Sequence, residues 1–218
     1  TFNLVKSLSI KDSRIRIVRR VGRSGLASAI KEGMLNATGD IVALMDADGQ
    51  HQPKDVFNAV RHLTDNNLDL VIGSRFLESA NITGLSTRRK GGSSLANRLA
   101  KLSLPKNYVH ITDYMSGCFV VRIETCLPFI YKIDVNGFKI LYELLALSRG
   151  KLFVGEIPLS FQPRIHGESK LELSIIWDFL ISLLHTITYR VLPRRAISFA
   201  IVGLSGVFVQ LFITYLAM

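Results

Sequence analysis

The sequence predicts an α/β fold in which helices cover both faces of a largely parallel sheet. Short apolar or β-branched runs, typical of strands, alternate with stretches that have the apolar spacing of helices. Strands that alternate with helices are usually joined by right-handed crossovers and lie parallel to one another. Ligands of such sheets bind beyond the carboxyl ends of the strands, so residues that follow a predicted strand are the first candidates for a functional site.

The elements follow one another at short intervals. In order, we expect a strand at 14–18 (RIRIV), a helix at 24–36, a strand at 41–45 (IVALM), a helix at 53–65, a strand at 69–73 (DLVIG), a strand at 118–121 (CFVV) and a helix at 137–149. Leu26, Ile30 and Met34 form one stripe of the first helix, and Gly39 stops it. Pro53 suits the first position of the second helix, because the N–H it lacks has no partner there in any case.

Composition narrows the class of protein. The 218 residues are 48% hydrophobic and 20% charged, which excludes a disordered chain. Cys118 and Cys126 are too few for a disulfide framework and lack the spacing of a zinc site. The net charge is +10, and basic residues cluster at 14–23, 88–90 and 190–195. Such clusters suit nucleic acid, anionic lipid or a phosphorylated substrate.

The last 23 residues, 196–218, contain no charge and are long enough to cross a bilayer as a helix. A buried core helix is the alternative. Arg190, Arg194 and Arg195 precede this segment, so the positive-inside rule places the preceding domain on the cytoplasmic face of the membrane.

Residues 173–192 are apolar but include Asp178 and Arg190. We expect an amphipathic helix lying in the membrane interface, because both charges would be costly in hydrocarbon. A second spanning helix is the alternative. Pro193 separates this segment from the spanning one.

The sequence DADGQH places Asp46 and Asp48 directly after the strand at 41–45. Carboxylate oxygens suit Mg²⁺ or Mn²⁺, and these ions also bind the oxygens of a diphosphate. The two residues therefore suggest a metal site for a diphosphate substrate. A purely structural role, capping the helix that begins at Pro53, is the alternative.

Cations and hydroxyls follow other predicted elements. Arg75 comes directly after the strand at 69–73, where a guanidinium can hold a phosphate with two hydrogen bonds. Residues 87–94 combine three cations with glycines and serines before a helix, a pattern that suits phosphate binding. Residues 164–171 place two cations in a flexible turn before the interfacial helix. The alternative is that these are solvated or lipid-facing charges.

Two further acids are candidates for the site. Asp113 precedes the strand at 118–121, and Glu143 lies within an apolar helix. Each could equally be a structural acid in a salt bridge.

With these motifs the chain resembles the polyprenol-phosphate glycosyltransferases of the inverting family-2 glycosyltransferases, the dolichol-phosphate mannose synthases among them. The matching segments are DADGQH, GSRF, RRKGGSSLAN, DYMSG, GFKILYEL and IPLSFQPRIHGESKL. The segment SFAIVGLSG resembles the first helix of the GtrA-type membrane domain. The opening strand and VVDDGS-type segment of the family are absent, so we expect the natural protein to extend beyond both ends of this chain.

The resemblance implies a GT-A fold over residues 1–171, an interfacial helix over 172–193 and the start of a membrane domain over 194–218. It implies Mn²⁺ or Mg²⁺ as cofactor and a nucleotide-sugar donor, most simply GDP-mannose. The implied acceptor is dolichyl or polyprenyl phosphate. The implied metal ligands are Asp46, Asp48 and Gln50; donor contacts add Ala47, Arg164 and Lys170; and acceptor contacts are Arg75, Arg89 and Ser93. We expect Asp48, Arg75 and Asp113 to serve the transfer itself.

Two other functions fit the sequence. The donor could be UDP-glucose or UDP-N-acetylglucosamine, since the segment that would bind the base is absent. In a different class, the protein could be a non-catalytic membrane protein that binds anionic lipid or RNA. Nucleic acid is not expected, because aromatic residues do not interleave with the arginines as they do in single-strand binders.

Overall fold

A computed structural model describes residues 2–20, 25–82, 87–134, 139–162 and 173–217. The elements in chain order are α1 (Phe2–Lys11), α2 (Leu26–Leu35), β1 (Ile41–Leu44), α3 (Pro53–Asp65), β2 (Leu70–Ser74), β3 (Asn81–Ile82), α4 (Thr87–Ser103), a 3-10 turn (Lys106–Tyr108), β4 (Phe119–Arg122), α5 (Ile123–Ile130), α6 (Ile140–Ser148), β5 (Val154–Pro158), β6 (Ser160–Phe161), α7 (Leu173–Ile187) and α8 (Arg194–Leu216).

The main sheet confirms the α/β class but is mixed in its pairing. Its strand order is β1-β4-β2-β5. Strands β1, β2 and β5 run in one direction, and β4 lies between β1 and β2, antiparallel to both. The expected succession of parallel neighbours is therefore wrong at β4. Strand direction depends on where the intervening segment returns to the sheet, which local patterns do not reveal.

This reversal brings three motifs to one edge of the sheet. Phe119, the first residue of β4, is opposite both Leu44 near the end of β1 and Ile72 near the end of β2. The residues that precede β4 therefore lie beside those that follow β1 and β2. A parallel β4 would have placed them at the opposite edge.

The strand predicted at residues 14–18 does not form. These residues are irregular, and no strand in the described part of the chain pairs with them. Alternating β-branched residues favour an extended chain, but a strand also needs a hydrogen-bonded neighbour. The preference of residues 14–18 for an extended chain was therefore not enough to form a strand.

The core has one layer on each face of the sheet. Val71 of β2 and Val120 of β4 pack with Ala59 and Leu63 of α3 on one face. The opposite face packs against helices that include α4, α5 and α6, and its fully buried strand residues are Leu70, Ile72, Phe119 and Val121. The two-residue alternation of β2 and β4 thus divides their side chains between two helical layers.

Helix α7 has two apolar sides. Phe179 and Leu183 are buried in the core beside α6, and the Phe179 ring meets the edge of Tyr142 of that helix. A second stripe is exposed and consists of Ile176, Leu180, Leu184 and Ile187. An amphipathic helix with one covered and one uncovered apolar side is consistent with a helix that rests on a membrane.

Helix α8 is the one helix among the described residues long and apolar enough to cross a membrane. Only 6% of the most apolar 18-residue stretch of α8 is buried, whereas a core helix would be mostly covered by the protein. We therefore interpret α8 as a candidate membrane anchor. The domain boundaries at 171 and 193 stay predictions, and residues 171 and 172 lie outside the described ranges.

Candidate functional site

The candidate site is the sheet edge where β1 and β2 end and β4 begins. Residues 46–50 follow β1, residues 73–75 end β2 and extend beyond it, and residues 113–117 lead into β4. The amide of Gly73 donates to the carbonyl of Cys118 over 2.9 Å, which joins two of these segments directly. DADGQH, GSRF and DYMSG, separate in sequence, therefore form one rim.

Asp46 lies against the backbone of Gly117. A methyl group at position 117 would clash with the Asp46 carboxylate, so glycine is required for this close approach. The imidazole Nε2 of His51 is 3.8 Å from the same carboxylate. Asp46 is still partly exposed, with 39% of its side chain accessible. Asp46 therefore faces an open cleft, and its carboxylate packs against Gly117 of the DYMSG segment.

Asp48 and Gln50 form the turn that follows. The Asp48 Oδ1 accepts a 3.1 Å hydrogen bond from the Gln50 amide, and Gly49 has a positive φ of 80° that favours glycine. The Gln50 side chain is buried, and its amide nitrogen donates to the carbonyl of Gln162 over 3.1 Å. The Gln162 amide donates to the Gln50 carbonyl over 2.9 Å. Gln50 thus connects the rim to the chain just before residues 163–170, while Ala47 is exposed.

Arg75 forms a two-pronged ion pair with Asp113. Its Nε and Nη2 donate to the two carboxylate oxygens over 2.7 and 2.9 Å, and its backbone amide donates to the same group over 3.2 Å. Asp113 is fully buried, whereas 15% of the Arg75 side chain is exposed. Burial lowers the pKa of Arg75, but hydrogen bonding to Asp113 and the charges of Asp113 and Asp46 outweigh burial and raise it. Arg75 is therefore a fixed cation at the rim.

The burial of Asp113 refines its expected role. Its oxygens accept hydrogen bonds from Arg75 and from the backbone amide of Met115, so its contacts are with the protein. Asp113 can therefore act by positioning Arg75, and it does not face the cleft. A structural acid in a salt bridge was one of the two roles that the residue pattern left open for Asp113.

Two side chains outside the predicted site hold the segment containing Asp113. Glu156 of β5 accepts hydrogen bonds from the amides of Thr112 and Asp113 at 2.9 to 3.1 Å. Asn97 of α4 accepts one from the Tyr114 amide over 2.9 Å. Burial raises the pKa of Glu156, although these hydrogen bonds oppose the change. Neither residue could be assigned from the sequence, because each acts on a segment distant from it in the chain.

Lys139 is the functional candidate that the sequence analysis missed. It lies immediately before α6 and lines the same cleft as Asp46 and Gly117. Burial lowers the pKa of its ammonium group; Asp46 and Asp113 oppose this, and Arg75 adds to it. The available signal was a lysine directly before an apolar helix in GFKILYEL, within a segment that the resemblance had already identified.

Some predicted residues cannot be compared with this geometry. Arg164 and Lys170 lie outside the described residues. Arg89 and Ser93 are in α4, but their side chains lie outside the described part. Their predicted contacts with donor and acceptor stay predictions.

The rim residues fit a divalent cation. Asp46 and Asp48 supply hard oxygen donors from one short turn, and the carboxylate of Asp46 rests in the space that Gly117 leaves. Within the described ranges no cluster of three or more His, Cys, Asp or Glu side chains forms a complete protein cage. Mg²⁺ and Mn²⁺ are commonly held by one or two carboxylates together with substrate phosphates, which matches this donor set.

Glu143, in the first turn of α6, does not line this cleft and forms ion pairs within the protein. It is 1% exposed, and one carboxylate oxygen accepts two 3.0 Å hydrogen bonds from Arg190. Its other oxygen contacts Arg194, which also lies 3.2 Å from Asp134 and donates to Ser182 of α7 over 2.9 Å. Glu143 therefore joins α6 to the start of α8, as expected for the salt-bridged alternative.

Comparisons with known proteins agree with the motifs. The model of glycosyl transferase family 2 matches residues 1–126. A dolichol-phosphate mannosyltransferase of Pyrococcus furiosus is 34% identical over 198 residues, covering 90% of this chain and 54% of the relative. A protein of the same name from Saccharomyces cerevisiae is 34% identical over 184 residues, covering 81% and 66%. One from Mycosarcoma maydis is 30% identical over 188 residues, covering 85% and 62%. The chain spans between half and two-thirds of the length of these relatives.

Solved structures agree on the fold. Glucosyl-3-phosphoglycerate synthase from Mycobacterium tuberculosis, crystallised with Mn²⁺ and UDP-glucose, has a TM-score of 0.56 and 18% identity over 83% of this chain and 62% of that one. Its complex with phosphoglyceric acid has a TM-score of 0.54 and 18% identity over 84% and 64%. At this identity the likeness concerns the fold, and the chain has the GT-A architecture expected from its motifs.

Proposed function

Because the chain belongs to glycosyltransferase family 2, we propose that it transfers a sugar, most simply mannose from GDP-mannose, to a dolichyl or polyprenyl phosphate. The observation that carries this proposal is the rim itself, where Asp46 lies within electrostatic reach of the fixed cation Arg75 and Asp48 follows in the next turn. Curated relatives named dolichol-phosphate mannosyltransferase support the choice of sugar and acceptor.

We assign the donor diphosphate to the Asp46, Asp48 and Gln50 turn, with Ala47, Arg164 and Lys170 as further donor contacts. Asp46, Asp48 and the amide oxygen of Gln50 are the proposed ligands of Mn²⁺ or Mg²⁺. A neighbouring fold crystallised with Mn²⁺ and UDP-glucose supports a divalent ion with a nucleotide sugar. Such an ion, when bound, neutralises charge on the departing diphosphate.

We assign the acceptor phosphate to Arg75, together with Arg89 and Ser93. A guanidinium held at Nε and Nη2 by Asp113 keeps one orientation, so little conformational entropy is lost when it meets a phosphate. Lys139 adds a cation beside Asp46. Asp113 acts as the positioning residue for Arg75, and Glu156 and Asn97 support its segment.

The proposed transfer needs positioning more than proton removal. A phosphate monoester, with a second pKa of about 6, is mostly dianionic at pH 7. One of its oxygens attacks the anomeric carbon, the carbon bond to the nucleoside diphosphate breaks, and the diphosphate leaves with the electron pair. Arg75 orients the attacking phosphate, and the cations of the rim stabilise the charge that develops on the leaving group.

A lipid acceptor also suits the elements that follow the rim. The exposed apolar stripe of α7 and the uncovered surface of α8 would hold the site near the headgroups of a membrane. We propose that the part of the chain before α8 lies on the cytoplasmic face, because Arg190 precedes α8 and Arg194 and Arg195 are its first two residues.

The test uses the intact protein in detergent with Mn²⁺ and polyprenyl phosphate. Labelled GDP-mannose, UDP-glucose and UDP-N-acetylglucosamine are offered separately, and label is followed into the organic extract. We expect GDP-mannose to label the lipid and Asp48→Asn to abolish labelling while the protein stays folded. If only a UDP-sugar labels the lipid, the donor is that UDP-sugar and not GDP-mannose. Labelling that survives both removal of the metal and the Asp48→Asn change would overturn the proposed mechanism.

A further inference from the structure

A second basic feature is a cavity at the other end of α6. Its volume is about 360 Å³, and its lining consists of Phe129, Lys132, Leu147, Arg149, Lys151 and Arg190. Four of these residues are cations, and none is an acid. The cavity therefore concentrates positive charge between two apolar side chains.

Three of the four cations in this cavity have no acidic partner among the described residues. Within the described part of the chain, no carboxylate pairs with Lys132, Arg149 or Lys151. Arg190 does contact Glu143, but Glu143 is shared with Arg194. A cation near a helix C-terminus is favoured by the helix dipole, which explains Arg149 alone. Lys132, Arg149 and Lys151 are exposed, so these three cations are accessible to an anion from outside the protein.

The position of the cavity separates it from the candidate transfer site. Lys139 precedes α6 and Arg149 follows it, so about 15 Å of helix axis separates these two residues at 1.5 Å per residue, and Arg190 reaches back from the cavity to Glu143 in the first turn of α6. Arg190 lies in the connection between α7 and α8 and precedes the first residue of α8 by four positions. Its neighbours Tyr189 and Val191 are 79% and 78% exposed. The cavity is thus at the base of the candidate anchor, where headgroups would lie.

The Arg190 side chain is held in place by Glu143. Both terminal nitrogens of Arg190 donate to one oxygen of Glu143 over 3.0 Å, which fixes the plane of its guanidinium. Arg149 ends α6 with a left-handed backbone, φ 51°, and lines the cavity. Arginine binds phosphate through paired hydrogen bonds, whereas lysine contributes a mobile point charge.

We propose that this cavity binds the phosphate group of an anionic membrane lipid beside the anchor. The cations would meet the phosphate, and Phe129 and Leu147 would contact the glycerol part of the headgroup. Basic pockets beside membrane helices on the cytoplasmic side recognise lipid headgroups in this way. The site is independent of the transfer reaction and would hold the catalytic half against the membrane surface.

The test measures retained lipid by native mass spectrometry of the intact protein in a neutral detergent. Phosphatidylglycerol and phosphatidylcholine are added at equal concentration. The variant Arg149→Gln/Lys151→Gln removes two cavity cations. The matched control Lys6→Gln/Arg61→Gln removes the same charge from the exposed surfaces of α1 and α3. We expect phosphatidylglycerol to bind preferentially to the natural protein and the control, and about 25-fold more weakly to the cavity variant, about fivefold for each cation lost.

Competition by inorganic phosphate and glycerol 3-phosphate separates the two sources of the anion. Retention of lipid in the presence of millimolar soluble phosphate supports a lipid site. Displacement at equal concentrations overturns the lipid assignment in favour of a soluble phosphate ester. Equal lipid retention by the cavity variant and the control, or no preference for phosphatidylglycerol, overturns the proposal, and sugar transfer measured in parallel identifies a misfolded variant.

Discussion

Two buried arginine–carboxylate groups in this molecule have similar chemistry but lie at different places in the fold. Arg75 and Asp113 lie at the ends of strands, within electrostatic reach of Asp46, and Arg75 keeps 15% of its side chain exposed. Glu143 is enclosed between Arg190 and Arg194 under α7 and α8. The arginines of the two groups are similarly exposed, 15% for Arg75 against 18% for Arg190 and 14% for Arg194, but the first group lies at the strand ends and the second joins α6 to the start of α8. Because burial is alike in the two groups, position at the strand ends is what makes the Arg75–Asp113 pair the candidate for function.

The largest expected effect is on stability at the enclosed group. Glu143→Ala leaves two arginines without their shared acid and should lower the free energy of unfolding by about 3–5 kcal/mol. Denaturant unfolding followed by circular dichroism measures this loss. Asp65→Ala, which breaks the exposed Arg61–Asp65 pair, is the control and should change stability by less than about 1 kcal/mol. Equal losses would remove the distinction between a buried joint and a surface pair.

The next effect is on catalysis at the open group. Asp113→Asn keeps the shape of the side chain but removes the charge that orients Arg75, so kcat should fall about 100-fold. Glu143→Gln, the equivalent change in the enclosed group, should leave kcat per folded molecule within about threefold. Steady-state transfer kinetics, corrected for the folded fraction, measures both. A comparable fall in kcat in the two variants would mean that the enclosed group also serves the reaction.

A smaller effect is expected where the rim depends on close approach. Gly117→Ala places a methyl group against the Asp46 carboxylate and should slow transfer about tenfold or more by displacing it. Gly39→Ala is the matched control, since a methyl group there meets only the Ile41 carbonyl at an ordinary 3.6 Å. Transfer rates at saturating donor measure the difference. An unaffected Gly117→Ala enzyme would show that the position of Asp46 is not critical.

The smallest effect concerns the acid that supports the open group. Burial raises the pKa of Glu156 in the folded protein above its ordinary value of 4.5. The folded state therefore binds the proton more tightly than the unfolded state, and stability falls as the pH rises from 4.5 through the raised pKa. Glu156→Gln should lack this part of the pH dependence. The measurement is the unfolding midpoint of the natural protein and of Glu156→Gln at several pH values between about 4.5 and 7. The same dependence of the midpoint on pH in both proteins would contradict the assignment.

The sequence predicted local elements well because their signals are local. Helix α3 begins at Pro53 and ends at Asp65 as expected, since proline favours the first turn and the following Asn67, with φ of 49°, suits the end. The strand at 41–45 and the two aspartates after it were likewise predictable. The strand at 14–18 was wrong because extended preference does not supply a pairing partner.

Pairings between distant residues could not be predicted. Asp113 meets Arg75 across 38 residues, and Glu143 meets Arg190 across 47. Both contacts depend on the antiparallel insertion of β4 and on the return of α7 to the core, neither of which leaves a periodic pattern in the sequence. The residue pattern alone left a structural role open for both Asp113 and Glu143, the resemblance favoured Asp113, and the fold shows the partners of each. Lys139 was missed for the same reason.

The most direct test of the account is whether the open rim binds a metal together with a nucleoside diphosphate. Electron paramagnetic resonance of Mn²⁺ in the presence of GDP measures this on the intact protein. We expect bound Mn²⁺ in the natural protein and in Glu143→Gln, and binding about 100-fold weaker or more in Asp48→Asn, because a carboxylate ligand is lost. Equal Mn²⁺ binding by the natural protein and a folded Asp48→Asn variant would contradict the account.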